Sequence, residues 1–197
     1  MSPRKSVVET AATRTRIIEC ALAAASADGL EGVTIGRLAG ELDMSKAGVI
    51  GHFGTKEALQ LAVLDAAVDR FVRRVPAQVM GAQPGAERLA RAFGEWFDYM
   101  ADDHRGCFLT SVATEFDDRP GPVRDAVIAA LSRWSAYVLD ELGAAVDSGE
   151  LPRGTDPAQL AFELNGVALA TAQAVQLHHD PLAATRARRA LARLLPS

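Results

Sequence analysis

The stretch TIGRLAGELDMSKAGVIGHFGTKEAL, from residue 34 to residue 59, constrains the fold more than any other part of the chain. Ile35, Leu38 and Leu42 recur at helical spacing, which predicts a helix of about two turns with one apolar side. Thr34 stands directly before it, where an N-cap belongs. The stretch therefore opens with a short amphipathic helix that can bury one face.

A tight turn and a second short helix follow. Asp43 tolerates the left-handed backbone conformation that a tight turn requires. Ser45 can cap a helix predicted over residues 46–52, in which Val49, together with Phe53 just beyond its end, anchors one face. Two short helices joined in this way are typical of a helix-turn-helix, whose second helix enters the major groove of DNA.

Two glycines and a third helix complete the motif. Gly48 and Gly51 each weaken a helix by about 1 kcal/mol relative to alanine, so the second helix needs tertiary support, or clearance for a partner. Thr55 caps a longer helix, and its first residue, Lys56, could place an ammonium near a phosphate beside free backbone N–H groups.

The composition is that of a soluble protein. The chain has 197 residues, of which 49% are apolar and 23% charged. No apolar run approaches the roughly 20 residues that cross a bilayer, and the first residues lack the apolar centre of a secretory signal. These features predict a cytoplasmic protein without a membrane partner.

The charge distribution favours the N-terminal part as an anion binder. Residues 1–56 carry seven basic and six acidic side chains, a balance of +1, so the total of −4 leaves −5 for the remainder. Arg4 and Lys5 lie in a polar arm that could contact the minor groove or a phosphate, although a solvated terminus is the simpler interpretation. Charge alone does not establish DNA binding.

Groups that carry catalysis or bind metals show no recognisable spacing. Cys20 and Cys107 belong to no CxxC pair and are interpreted as small buried hydrophobes. His104, His178 and His179 form no metal-binding or nucleophile motif. The sequence therefore predicts no cofactor and no metal site, and an all-α enzyme is the weakest alternative.

The remainder of the chain also has helical periodicity and no strand pattern, so the predicted fold class is all-α. A three-helix N-terminal module, domain 1–58, precedes a helical body, domain 59–197, with the boundary inside the helix that begins at Lys56. Helices are predicted over residues 13–27, 35–42, 46–52, 56–75, 86–101, 107–116, 122–147, 157–177 and 182–195.

Two of these helices have broader apolar faces than one chain needs. Residues 122–147 and 157–177 are the two, and the second also contains small residues such as Gly166 and Ala170, which let helices approach closely. We interpret the pair as half of an intermolecular four-helix bundle, which predicts a homodimer.

Particular residues give the chain a family resemblance. They are Arg16, Ile17 and Ala21 in the first helix, Val33-Thr34-Ile35 with Leu38-Ala39, Met44-Ser45-Lys46, His52-Phe53, and Thr55-Lys56-Glu57-Ala58-Leu59. In these positions the chain resembles the TetR, or tetracycline-repressor-like, family of bacterial transcriptional regulators. The segment GCFLTSVATEFDDRPGPVRDAV is similar to one broad branch of that family.

The resemblance implies DNA-contacting residues. It makes Thr34 a cap and phosphate contact, Lys46 and Gly48 groove contacts, and His52 and Lys56 phosphate contacts. The full predicted set is Thr34, Arg37, Ser45, Lys46, Ala47, Gly48, His52 and Lys56. The chain departs from the family pattern where Ile50 and Gly51 replace aromatic or polar residues, which leaves fewer hydrogen bonds for DNA.

The resemblance also implies a mechanism. A dimer would bind a double-stranded, pseudo-palindromic operator, and a small hydrophobic or aromatic effector in the body would release it, as in a ligand-responsive repressor. The pocket would be lined by Phe93, Trp96, Phe97, Met100, Trp134 and Tyr137. A filled core without a ligand is the alternative, in which case the protein would bind DNA independently of an effector.

Overall fold

The computed structural model describes residues 7–102 and 107–195. Over these ranges the chain is helical, with no strand, which confirms the predicted all-α class. The helices are α1 Val7–Asp28, α2 Ile35–Glu41, α3 Lys46–Ile50, α4 Lys56–Arg74, α5 Pro76–Val79, α6 Ala86–Asp102, α7 Phe108–Glu115, α8 Pro122–Ser148, α9 Pro157–Gln176 and α10 Ala183–Leu194. In the same ranges no helix is long and apolar enough to span a membrane.

The chain divides into two compact units. The first comprises the described residues up to Val68 together with Ser111–Val127, and the second comprises the described parts of Asp69–Thr110 and Ile128–Ser197. The change of unit after Val68 falls inside α4, and α7 and α8 also contribute to both units. The functional boundary between residues 58 and 59 stays a prediction. The first compact unit differs from the predicted domain 1–58 in that it also contains the segment 111–127.

The first helix begins earlier than the sequence predicted. We expected it near residue 13, but α1 starts at Val7, and residues 8–12 form a solvent-exposed turn. Because no apolar stripe marks this exposed turn, periodicity could not find it. Arg4 and Lys5, predicted to lie in a polar arm, and His104 fall outside the described residues.

The turn between α2 and α3 has the predicted left-handed residue. Asp43 has a φ of 52°. The Met44 N–H donates to the Ala39 carbonyl at 2.9 Å, and the Asp43 N–H is 3.4 Å from the Gly40 carbonyl. These two bonds form a Schellman motif with Asp43 at the position that usually holds glycine.

Replacing Asp43 by glycine should therefore leave the turn intact and remove its strain. We expect Asp43→Gly to raise the free energy of unfolding by about 0.5–1 kcal/mol, measured by urea unfolding. Asp43→Ala is the control, because alanine keeps the Cβ without the polar side chain and should destabilise the protein. Destabilisation by both substitutions would show that the Asp43 side chain, and not its backbone, supports the turn.

The second unit has one large apolar core. α6 buries Leu89, Phe93, Trp96, Phe97 and Met100. It packs against α5, α9 and α10, and α9 packs against α10. The short helix α5 was not predicted, since four residues are too few to show a helical period.

The second unit also contains a buried ion pair. The Glu141 side chain is 2% exposed and the Arg88 side chain 12% exposed. The Arg88 Nε lies 2.9 Å and 3.0 Å from the two Glu141 oxygens, and the Gly85 N–H donates to the same carboxylate at 2.9 Å. The carboxylate therefore fixes both a side chain and the backbone at the start of α6.

The two cysteines differ from each other. Cys107 is buried, as predicted, but Cys20 is only partly buried. The Cys20 thiol donates to a Glu41 oxygen at 3.1 Å. Burial and then the Glu41 carboxylate raise the pKa of Cys20 to about 11. The interpretation of Cys20 as a buried hydrophobe was thus wrong, because a neighbouring carboxylate provides a polar partner at a half-buried position.

Candidate functional site

The helix-turn-helix is built on the caps that the sequence predicted. The Thr34 hydroxyl accepts a hydrogen bond from the Arg37 N–H at 3.3 Å, at the start of α2. The Ser45 hydroxyl accepts from the Gly48 N–H at 2.9 Å, at the start of α3. Val49 is fully buried and anchors α3. The local capping chemistry therefore fixes where both helices begin.

The outer side of α3 carries exposed predicted contacts. Ser45, Lys46 and Ala47 are exposed, while Gly48 and His52 are partly buried. A Cβ on Gly48 would lie 3.1 Å from the Ser45 hydroxyl, so glycine gives the capping hydroxyl room.

The side chain of Lys46 lies along α2. A Cβ on Gly36 would be 3.2 Å from the Lys46 Cε. The absence of a side chain at Gly36 therefore leaves room for the methylene chain of Lys46 to lie against α2.

A further cation of this unit is Arg14. Its guanidinium lies 4.9 Å from the centre of the Phe53 ring, a cation–π contact that orients the charge without neutralising it. The His52 ring is 6.4 Å from the same phenyl ring. Helical spacing could not predict this contact of Arg14, because Arg14 lies in α1 and Phe53 lies just after α3.

Two predicted contacts have partners within the protein. Arg37 pairs with Asp28 and, at 2.8 Å, with Glu41. The Lys56 Nζ donates to the Glu31 carbonyl at 2.8 Å and to the Glu31 Oε1 at 2.9 Å. The Lys56 hydrogen bond lowers the pKa of Glu31. A phosphate must therefore compete with a carboxylate for Lys56, and with two for Arg37.

The segment 111–127 reaches the same region through Glu115. Its two carboxylate oxygens accept from the Leu30 N–H at 2.8 Å and the Glu31 N–H at 2.7 Å. Gly29, with a φ of 81°, lets the carboxylate approach, because a Cβ there would lie 3.0 Å from Glu115 Oε1. Gln60 completes the network by donating to Glu31 Oε2 at 3.0 Å. Sequence reasoning missed Glu115, since its partners are backbone groups distant in the chain.

The residues predicted to line an effector pocket lie together in the core of the second unit. Phe93, Trp96, Phe97 and Met100 are buried, whereas Trp134 and Tyr137 are partly buried. The centre of Trp134 is 5.1 Å from that of Trp96, 5.6 Å from Phe93 and 5.4 Å from Tyr137. We call Phe71, Phe93, Trp96, Trp134 and Tyr137 the aromatic cluster.

Two polar atoms of the aromatic cluster have no hydrogen-bond partner. They are the Trp96 Nε1 and the Tyr137 hydroxyl, both inaccessible to solvent in the described part of the chain. Burial raises the pKa of Tyr137, the Glu141 carboxylate raises it further, and Arg88 partly offsets this. Burial also raises the pKa of Cys107, which the nearby Trp96 N–H lowers in part. A thiol is a weak acceptor, so this contact does not satisfy the indole.

A surface groove of about 520 Å³ lies elsewhere on the second unit. Its walls come from α5, the residues after it, α6 and α10, and it contains none of the predicted pocket residues. The Asp98 and Arg188 side chains in it pair with each other. In the described residues, no group of three His, Cys, Asp or Glu side chains could hold a metal ion.

Comparison with known proteins identifies the class that this fold defines. Residues 17–63 match the family described as bacterial regulatory proteins, tetR family, and residues 85–191 match the tetracyclin repressor-like C-terminal domain. The chain therefore belongs to the TetR family of bacterial transcriptional regulators, as the sequence resemblance predicted.

Individual relatives are distant. The HTH-type transcriptional regulator SrpR of Pseudomonas putida is 26% identical over 158 residues, which cover 78% of this chain and 70% of SrpR. A TetR regulator from Chloroflexus aurantiacus is 23% identical with a TM-score of 0.86, covering 95% of this chain and 96% of that one. AibR, solved with isovaleryl coenzyme A and operator DNA, is 21% identical with a TM-score of 0.75, covering 93% and 98%.

Proposed function

We propose that this regulator is a ligand-responsive repressor that binds a pseudo-palindromic operator as a homodimer and is released by a small apolar effector. The observation that carries the DNA-binding part is α3, a capped helix anchored by Val49 whose exposed side presents Lys46 and Ala47. Small residues permit close approach to base edges, and a lysine can reach a base or a phosphate. The site of action would be the cytoplasm.

The proposed interface assigns different tasks to the predicted residues. Lys46, Ala47 and Gly48 would enter the major groove, and the caps Thr34 and Ser45, with His52, would lie near phosphates. Arg14, oriented by Phe53, adds a cation to this set. Arg37 and Lys56 would contact DNA phosphates either by releasing their carboxylate partners or by binding carboxylate and phosphate together.

The dimer would form through uncharged, exposed faces of α8 and α9. On α9, Phe162 is 75% exposed and Leu169 49% exposed, with the small residues Gly166 and Ala170 between or beside them. On α8, Ile128, Leu131 and Leu139 are exposed at helical spacing. A second copy of the chain could cover both stripes, and membership of a family with dimeric regulators supports this occupant.

The effector would bind at the aromatic cluster and favour a dimer geometry that does not fit the operator. Only a ligand with different affinities for the two geometries can do this. AibR, which shares the fold, is described with both an acyl coenzyme A and operator DNA. That pairing supports ligand control here.

Selection of bound fragments from random DNA by the purified protein tests the proposal. We expect two inverted half-sites whose centres are about one helical turn apart, or a multiple of it. Enrichment of a single half-site would contradict the dimeric mode. Recovery of fragments without a common sequence would contradict operator recognition altogether.

Lys46→Ala should weaken binding to the selected operator. Loss of one phosphate or base contact in each protomer should also reduce the slope of log affinity against log salt by up to about 1.8 per dimer, at about 0.9 per phosphate. Fluorescence anisotropy at several salt concentrations measures both quantities. Arg189→Ala, which removes one exposed positive charge from α10, is the control and should change neither. Equal effects of the two variants would remove Lys46 from the interface.

Glu31→Gln should strengthen operator binding. The substitution keeps the side-chain shape but removes the charge that holds Lys56 at 2.9 Å, so a phosphate competes more easily. We expect an affinity gain of about threefold to tenfold and a steeper salt dependence. Glu57→Gln is the matched control, since it removes an exposed negative charge from the residue that follows Lys56 in α4.

A double variant tests whether this gain in operator affinity depends on Lys56. In a Lys56→Ala background, Glu31→Gln should give no more than the gain seen with Glu57→Gln. A full gain without Lys56 would mean that Glu31 acts through the general field and that Lys56 does not contact DNA.

Effector-independent DNA binding is the second candidate function. The close ring contacts in the aromatic cluster favour it, because they are also those of a filled core. A thermal-shift screen with small apolar molecules separates the two candidates: a stabilising ligand that lowers operator affinity supports the repressor, whereas none would support the alternative.

A further inference from the structure

The aromatic cluster combines apolar walls with two unsatisfied donors. Trp134 contacts Phe71, Phe93, Trp96 and Tyr137, with ring centres between 5.1 Å and 5.6 Å away. On two of those rings, the Tyr137 hydroxyl lacks a partner and the Trp96 N–H faces only the Cys107 thiol, a weak acceptor. Trp96 is 4% exposed, so bulk water does not satisfy its N–H. Buried donors are normally paired, which makes two orphans beside one ring unusual.

The chemistry of these orphans selects a complementary group. An indole N–H can only donate, and a phenol O–H can donate as well as accept. Both can therefore be satisfied by an oxygen that accepts, such as a carbonyl. A hydrocarbon would leave both unpaired, and an ammonium would place a further donor against the Trp96 N–H.

The neighbouring charges argue against an anionic ligand. Arg88 is a cation whose charge acts on Tyr137, but both Glu141 oxygens accept hydrogen bonds from Arg88, and Glu141 also accepts from the Gly85 N–H. The charge of Arg88 is thus already compensated. The environment also resists a negative charge on Tyr137, whose pKa is raised by burial and by Glu141.

We propose that the aromatic cluster binds a neutral, mainly apolar molecule with a carbonyl-type oxygen that accepts hydrogen bonds from Trp96 or Tyr137. This inference rests on the proposed function, since it names the chemical class of the effector. Trp134 and Tyr137 are partly buried, so the cluster reaches the surface of the second unit on their side. The class includes ketones, esters, lactones and amides.

Four probes of nearly equal shape test the charge and the acceptor separately. They are 4-phenylbutan-2-one, its hydrocarbon analogue isopentylbenzene, the anion 3-phenylpropanoate and the cation of 4-phenylbutan-2-amine. The chain has two tryptophans, Trp96 and Trp134, so fluorescence excited selectively in tryptophan reports on the aromatic cluster alone. We expect the ketone to bind about tenfold tighter than the hydrocarbon, the difference that one buried hydrogen bond gives. Both ions should bind more weakly than the ketone.

Two conservative variants connect that preference to the orphan donors. Trp96→Phe and Tyr137→Phe each remove one donor while keeping a ring, and Trp134 remains as the fluorescent reporter. At least one variant should bind the ketone no better than the hydrocarbon, and the ligand-free protein should not lose thermal stability in Tyr137→Phe. Phe97→Leu, which changes a buried ring without a polar atom, is the control and should keep the preference.

The outcomes separate this inference from the proposed function. Tightest binding of the anion or the cation, equal binding of ketone and hydrocarbon, or no fluorescence change with any probe would overturn the neutral-acceptor assignment. Operator affinity is measured on the same preparation. If the operator binds while the probe preference is absent, only the ligand class fails; if no operator is bound, the proposed function itself fails.

Discussion

Glu141→Gln is expected to lower the free energy of unfolding by about 3 kcal/mol. The carboxylate is 2% exposed and accepts hydrogen bonds from Arg88 and from the Gly85 N–H. The glutamine amide has one acceptor oxygen, so its NH₂ group would face a donor, and the largely buried guanidinium would lose its counter-charge. Urea unfolding followed by far-UV circular dichroism, at one protein concentration because of the proposed dimer, measures the change.

Glu87→Gln is the matched control, because it makes the same substitution in a solvent-exposed ion pair of α6. Glu87 pairs with Arg91 one turn along α6, but the two side chains are 70% and 60% exposed. Exposed pairs contribute little, so we expect a change below about 0.5 kcal/mol. Similar small changes in both variants would show that the Arg88–Glu141 pair does not stabilise the second unit beyond what its desolvation costs.

Local sequence signals predicted the features of the fold that depend on near neighbours. The caps Thr34 and Ser45 were predicted because an N-cap needs only its own hydroxyl and an N–H two or three residues away. Asp43 was predicted in the left-handed conformation for the same reason. The range of α6 was predicted to within one residue at its end, since a long apolar stripe defines a helix well.

Interactions between distant parts of the chain could not be predicted in this way. Arg88 and Glu141 are 53 positions apart, and no periodic pattern connects them. Glu115 and the N–H groups of Leu30 and Glu31 are separated further still. Such pairs depend on how helices pack, which spacing within one helix does not contain.

The same distinction applies to the candidate site. Lys46 and Ala47 were predicted at the start of a recognition helix and are exposed there. Lys56 was predicted to face a phosphate, but its ammonium is bonded to Glu31, a residue whose position depends on the loop after α1. The sequence therefore identified candidate cations without showing which of them must exchange an internal partner before they can bind DNA.

Leu169→Glu is expected to convert the dimer to a monomer at micromolar concentration and to lower operator affinity by about 100-fold or more. Leu169 is 49% exposed in the single chain, so the carboxylate would be solvated in a monomer and the fold should survive. In a two-fold interface the substitution enters twice and buries two unpaired charges. Two helix-turn-helix units in separate monomers would also lose the high effective concentration at which the second half-site is bound, a factor of about 10²–10⁴ in affinity.

Sedimentation measures the mass of this variant, fluorescence anisotropy its operator affinity, and circular dichroism its helicity. Leu182→Glu is the matched control, because Leu182 is 52% exposed but lies at the start of α10, outside the α8 and α9 stripes. The control should remain dimeric and keep its affinity. If Leu169→Glu also stays dimeric, a different surface joins the protomers; if it is monomeric with undiminished affinity, one helix-turn-helix suffices for the operator and the half-site mechanism is wrong.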